Sequence, residues 1–600
     1  MTLSEHTFHI PVMGTGFTID TPLHVARYGI SSVISLVDDE LIEQMRRYHS
    51  QKANEPVEPI ARHEDDARTR RITGYLNLLD RLVARQVEEL QASDFDDPNS
   101  EISKYFRLLP DTPLRRQWQD MLGTSDPDRR RAMQDELRRR AVPGTIDTNI
   151  MTKLDRDLYK GSEKLPPEHS DAMAALRGYA LSTVNSSIVL SAGLNPRLYS
   201  YMAQFEDFMP QGDIPPRKRI VLKVSDFRSA LVQGKFLAKR GLWDSEFRIE
   251  SGLNCGGHAF ASQGALLGPI LDEFRRDRQS LVEQLHEMYS KTLASLGRTP
   301  PSNPLAMRVT VQGGVGTAEE HSFLLRYYEV DGVGWATPFL LVPEVTNVDP
   351  SHLERLCAAT EDDVYLSDSS PLGVPFWNLK TSDSERIRLR RIEEGRPGSP
   401  CPKGYLVSNT EFTKLPICTA AASFQKRKLK QLEEAGEISQ EKAAALCQAV
   451  TDKACICHDL AGGATGKLGI DPEATTAICC GPNIVNFSRI ATLEEMVGHI
   501  YGRLSLLTNP DRPHMFLREL KLYIDYLRKE MDRHTLELSV RTPKYFQEFR
   551  ENLQTGIDHY RHLAEQFIED SRTRFLNELE RLKTELEQLD SETLSFNAVV

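Results

Sequence analysis

Six hundred residues exceed what one compact core holds; at ~100–200 residues per domain, two to four structural units are expected. The chain carries 74 Lys and Arg against 86 Asp and Glu, a net charge of −12, so it gains little from nucleic acid or anionic membrane by long-range attraction. Its apolar content of 40% suits a globular core, and no apolar run reaches the ~20 residues of a membrane helix.

In chain order, His9–Met13 reads as a short strand ending on Gly14-Thr15-Gly16. Thr21 and Pro22 then look like the N-cap and first residue of a helix through Ala26. Ser32–Leu36 is β-branched and apolar, the pattern of a buried parallel strand. Asp38-Asp39-Glu40 opens the next helix with acids where the helix dipole favours them. Residues 46–140 are rich in Arg, Glu, Gln and Leu at helical spacing, and read as a helical insertion. The strand–helix rhythm resumes at Thr145–Met151, Ser187–Ser191, Arg219–Val224, Glu246–Ser251, Met307–Gln312 and Val330–Gly334. With the first two, that gives the eight strands of an α/β (β/α)8 TIM barrel, built from residues 1–45 and 141–350. Residues 351–400 read as a connecting segment, 401–490 as a Cys-rich segment and 491–600 as a helical region. There Leu576, Leu579, Leu582, Leu586 and Leu589 form an amphipathic or coiled-coil-like face, which makes a homo-oligomer plausible.

The N-terminal hexapeptide has neither the basic nor the apolar region of a secretory signal. Nine cysteines are too sparse for a disulfide framework, and they fit reduced thiols in a cytoplasmic protein.

Three constellations carry chemistry. In Val309–Thr317 an apolar strand stops on Gly313-Gly314, and a Thr then opens a helix. Glycines let backbone N–H groups face outward, and the helix N-terminus adds partial positive charge, which together suit a phosphate. In a barrel the loops after strands 7 and 8 are the usual phosphate site, and Gly334-Trp335-Ala336-Thr337 supplies the strand-8 half. The second is Glu250–His258, where Gly256-Gly257 lets the backbone approach a flat ligand and His258 can move protons near neutral pH. The third is the group Cys401, Cys418, Cys455, Cys457, Cys479 and Cys480. Thiolates suit Zn or an iron–sulfur cluster, with Cys418, Cys455, Cys457 and Cys480 as the ligand set. Gly462–Leu468 glances at a P-loop, but it lacks the first Gly, the Ser/Thr and a leading strand.

These segments resemble the FMN-dependent barrel family of nitronate monooxygenases (2-nitropropane dioxygenases), which includes the flavin-dependent enoyl-acyl-carrier-protein reductases. Pro11-Val12-Met13-Gly14 through Val33 is similar to the family's first βαβ unit. Asn149 falls on its FMN-binding Asn and Lys223 on its flavin-contacting Lys. Cys255-Gly256-Gly257-His258 falls on its Ala-Gly-Gly-His, whose His is the base in the nitronate enzymes. Gln312–Val315 and Ala336–Leu340 fall on its two phosphate loops. The likeness spans roughly residues 8–45 and 142–350. Ser251 stands for the family's Gln near the flavin, Asn254 for an acid, and Ala336 for a Gly.

The resemblance implies an FMN oxidoreductase in which His258 transfers a proton on a small carbon acid or enoyl-type substrate. Met13, Gly14, Asn149, Lys223, Ser251, Gly256, Gly257, Gly313, Gly314, Ala336 and Thr337 would hold the cofactor. NAD(P)H or another electron donor would reduce it, and the helical insertion would lie over the mouth as a lid. The alternatives are a non-catalytic flavin- or phosphate-binding assembly module and a flavin plus iron–sulfur redox enzyme.

Overall fold

The computed structural model describes residues 5–152, 154–160, 163–190, 193–254, 263–434, 436, 438–567 and 569–597. Eight parallel strands close into a barrel in sequential order. They are β1 (Phe8–Ile10), β2 (Ser31–Ser35), β3 (Ile146–Asn149), β4 (Ser187–Leu190), β5 (Arg219–Val224), β6 (Asp244–Glu250), β7 (Arg308–Gln312) and β8 (Gly332–Gly334). β1 closes the ring, pairing His9 with Ser31 on one side and with Gly334 on the other. The eight strands are those expected. β1 stops at Ile10 because Pro11 has no N–H to offer the ladder.

The barrel helices are α1 (Thr21–Val25), α2 (Asp39–Lys52), α7 (Asp171–Ala180), α8 (Pro196–Met202), α9 (Phe227–Ala238), α10 (Leu267–Ser295), α11 (Ala318–Tyr327) and α12 (Pro350–Cys357). The N-cap of α1 is Asp20, not Thr21; the Thr21 hydroxyl donates to the Val345 carbonyl at 2.9 Å instead. At the head of α2 the Asp38 carboxylate accepts from Leu41 N, the cap its sequence called for.

Strand side chains alternate between the outer core and the barrel interior. Ile34, Ile188, Leu222, Phe247 and Val311 pack outward in the main core. Inward, the barrel divides. Val12, Val33, Val189 and Val221 cluster beneath Met151, while His9, Glu246, Arg248, Thr310 and Gln312 form a buried polar half.

The insertion folds as α3 (Ala67–Ala92), α4 (Glu101–Leu108), α5 (Pro113–Gly123) and α6 (Pro127–Arg140). It is a side wall, with α3 packed against α2 and α7. Arg68 and Arg71 of α3 both pair with the buried Asp39 carboxylate, at 2.6 and 2.9 Å. The C-terminal end of α3 and α4 meet the chain that enters β3: Gln91 and Tyr105 donate to the Ala141 and Val142 carbonyls.

The chain after the barrel grips the loops of the mouth instead. The Gly16 N–H donates to the Leu460 carbonyl in α16 (Ile456–Lys467) at 2.9 Å, and the Trp377 indole donates to the Gly252 carbonyl at 3.1 Å. Gly481 N donates to Thr337 Oγ1 at 3.2 Å. Gly462 and Gly463 lie within α16, where a Cβ would meet the Thr475 carbonyl at 2.0 Å and the Phe17 ring at 2.4 Å. Close packing of a helix therefore accounts for this glycine pair, and the P-loop resemblance ends there. The C-terminal helices are α17 (Leu493–Ile500), α18 (Met515–Thr535), α19 (Pro543–Leu563) and α20 (Glu569–Asn597). The leucine face of α20 is buried inside the chain against α18 and α19. It is amphipathic as expected, but its apolar stripe already has a partner. No described helix is long and apolar enough to cross a membrane.

Candidate active site

The ends of β3, β5, β6 and β7 bring four polar side chains to the C-terminal mouth. Glu250 closes β6, and its Oε1 accepts from Lys223 Nζ at 2.8 Å, Asn254 Nδ2 at 2.7 Å and Gln312 Nε2 at 2.7 Å. The Lys223 and Glu250 side chains are 10% and 11% exposed, so water screens this ion pair weakly. Asn149 ends β3; its Oδ1 accepts from Met151 N at 3.1 Å, and its amide nitrogen has no partner among the described residues.

Asn254 Oδ1 is a buried acceptor at the mouth with no partner among the described residues, and Gln312 Oε1 faces the neutral His9 imidazole. A buried acceptor without a partner costs roughly 1–3 kcal/mol unless something donates to it. Deeper in the barrel, Glu246 takes two bonds from Arg248 (2.8 and 2.6 Å) and one from Thr310 (2.5 Å). Burial opposes ionisation of Glu246, but Arg248 and Arg308 outweigh it and hold the carboxyl well below its usual range. Burial, with Arg248, lowers His9 to about 3, so this imidazole is neutral at physiological pH.

Gly313 and Gly314 have φ of +110° and +83°, the left-handed region that glycine alone adopts without strain. A Cβ on Gly313 would stand 2.9 Å from Asn254 N, and one on Gly314 would stand 2.7 Å from Leu253. The pair therefore also seats the loop after β6. The N–H groups of Gly313, Gly314, Ala336 and Thr337 make no hydrogen bond among the described residues. Ala336 has φ −116°, open to any residue, so replacing the family's Gly there costs no strain.

The flank of the Gly313–Thr317 turn is already filled. Arg512 donates to the Gly314 carbonyl (2.5 Å), Glu320 (2.6 Å) and Asn483 (2.8 Å). Glu320 in turn accepts from Gly316 N at 2.8 Å. The Gly316 N–H is therefore not open to a phosphate.

Other expected residues stand as follows. Met13 is buried in the main core, with its N–H on Thr18 Oγ1. Gly14, at φ +55°, backs onto Phe17. The Ser251 hydroxyl points to Glu519 of α18, donating at 2.7 Å. Gly256, Gly257 and His258 lie outside the described residues. Sequence reading did not assign roles to Glu250, Gln312, Arg512 or Glu519. A signal for the first existed: Glu246, Arg248 and Glu250 alternate along one face of an otherwise buried strand.

Of the expected metal ligands Cys480 stands apart, whereas Cys418, Cys455 and Cys457 lie close to one another and to Cys401. Cys480 is fully buried in the main core, whereas Cys418 and Cys479 belong to a separate cluster with Cys401 and Cys457 packed against it. The thiols pair with one another. Cys418 donates to Cys401, which with the Gly404 N–H outweighs burial and lowers Cys401 to about 6. Cys457 likewise donates to Cys455 and favours its thiolate. Among the described residues no group of three or more His, Cys, Asp or Glu is disposed to hold a metal ion, and the described cysteines are free thiols.

No protein-family model matches the chain, and no curated protein matches it. Among solved structures it is similar to the enoyl reductase domain of MlnA from the macrolactin biosynthesis cluster of Bacillus amyloliquefaciens. The two share 15% identity over 65% of this chain and 86% of that one, with a TM-score of 0.34. At that score the likeness adds nothing to what the strand pairing already shows.

Proposed function

We propose that this chain is an FMN-dependent oxidoreductase working at the mouth of its barrel on a small carbon acid or enoyl-type substrate. One observation supports this most: the buried Asn254 Oδ1 and four backbone N–H groups, without partners among the described residues, stand at the carboxyl ends of strands, where barrel enzymes hold ligands. FMN bound there would supply hydride and electron transfer.

In this reading the N–H groups of Gly313, Gly314, Ala336 and Thr337 hold the phosphate. Lys223 and the Asn149 amide donate to the oxygen and nitrogen acceptors of the ring. Asn254 Oδ1 accepts from its N–H edge. Glu250 orients those donors by fixing three side chains on one oxygen. Met13, Gly14 and Ser251 contribute backbone only. His258, through its place in the Gly-Gly-His loop, transfers the substrate proton.

His258→Ala should keep bound flavin and lose about 10²–10⁴-fold in turnover of a nitronate or an enoyl thioester. An unchanged rate would remove His258 from the chemistry. Protein that stays colourless after incubation with FMN would remove the whole reading. The cover that the post-barrel chain places on the mouth loops favours a second reading, a non-catalytic flavin- or phosphate-binding module. Bound flavin that NAD(P)H, nitronate and enoyl thioester all fail to reduce would select it.

A further inference from the structure

One side chain of the C-terminal helices holds both ends of the loop that follows β6. Glu519, in α18, is 2% exposed. Its Oε1 accepts from Ser251 Oγ at 2.7 Å and its Oε2 from Leu267 N at 2.8 Å. Ser251 directly follows β6, and Leu267 opens α10. A single carboxylate therefore bridges the two points between which residues 255–262 are strung. The surrounding packing has no slack. A Cβ on Gly252 would stand 2.7 Å from the Tyr523 ring, on Gly264 2.4 Å from the Phe549 carbonyl, and on Gly268 2.3 Å from the Tyr560 ring. The Gly268 N–H also donates to the Tyr560 hydroxyl at 3.3 Å.

We propose that Glu519 is a positioning residue that ties the end of β6 to the start of α10 and so fixes the described chain on either side of residues 255–262. Its importance for turnover rests on the reading of His258 given above; the clamp itself does not.

The clamp responds to pH. Burial pushes the Glu519 carboxyl up to about 7, against the pull of the hydrogen bonds from Leu267 N, Ser251 Oγ and Gly252 N. The phenol facing it is Tyr560 of α19, with Tyr328 and Tyr523 of α18 beside that ring. Burial holds Tyr560 and Tyr328 far above the ordinary phenol value, so both stay neutral. Among the described residues no Lys, Arg or His contributes to the Glu519 shift. Any opening that exposes Glu519 lets it ionise near the ordinary value of 4.5. The closed clamp is then fully favoured below that value and loses its advantage as pH rises toward about 7. A Gln at this position copies the protonated acid: its oxygen accepts from Leu267 N and its amide donates to Ser251 Oγ.

The test is hydrogen exchange of the full chain, corrected for intrinsic rates, at several pH values from about 5 to about 8. In the wild type, protection of 251–254 and 263–268 should fall by about tenfold or more over this range. In Glu519→Gln it should hold at the acid-side level throughout, with strand β2 unchanged in both proteins. Exchange does not depend on turnover. Loss of flavin binding with this pattern intact would therefore overturn the functional reading and leave the clamp standing. Protection that rises with pH, or falls with equal slope in Glu519→Gln, would overturn the clamp.

Discussion

The barrel mouth and the cysteine segment both gather residues that are far apart in the chain, yet they differ in what they leave unmet. At the mouth, strands fix Lys223 and Gln312 around one oxygen of Glu250, and the Asn254 Oδ1 acceptor and four N–H groups have no partners among the described residues. In the cysteine segment the thiols pair with each other, Cys401 with Cys418 and Cys455 with Cys457. Reactive residue types do not by themselves make a site. Rigidly held, unsatisfied hydrogen-bonding capacity is the stronger sign of a missing ligand.

The largest effect that separates the two regions should come from Arg512→Met. The Arg512 and Glu320 side chains are 2% and 4% exposed, and the variant leaves a buried carboxylate without its countercharge. A loss of about 3–5 kcal/mol is expected in urea unfolding, with flavin released because the Gly314 carbonyl loses its donor. Glu250→Gln comes next. It keeps the shape but leaves the Lys223 ammonium without a countercharge, at a cost of about 1.5–3 kcal/mol and a weaker hold on flavin. Gly313→Ala follows at about 1–3 kcal/mol, from positive φ and the Asn254 contact. Cys418→Ala should be the smallest, about 1 kcal/mol, with flavin binding untouched. A flavin loss there equal to that of Glu250→Gln would break the comparison.

The barrel was legible because several of its parallel strands are short β-branched or apolar runs ending on glycine or a polar turn, as at Val309–Gly314. The turns after β7 and β8 were legible for the same reason. What was hidden comes from distance along the chain. Arg512 reaches Gly314 across 198 positions, and Glu519 reaches Ser251 across 268. No local period announces either: Arg512 lies in the loop before α18, and Glu519 sits in a helix whose visible pattern is an apolar face. The separation of Cys480 from Cys418, Cys455 and Cys457 was hidden for a related reason. Cys479 and Cys480 are adjacent, yet they belong to different cores, a separation that spacing does not record. The lid expected of the insertion gave way to its Arg68 and Arg71 pairs with Asp39, which hold α3 along the barrel wall.

The central claim is that the mouth binds FMN through the Gly313-Gly314 turn. Titration of FMN into flavin-free protein, followed by quenching of flavin fluorescence, tests it most directly. One site per chain is predicted, unchanged by Cys418→Ala and weakened about tenfold or more, equivalent to ~1.4 kcal/mol, by Gly313→Ala. Absence of binding in the wild type, or equal weakening by the cysteine variant, would contradict it.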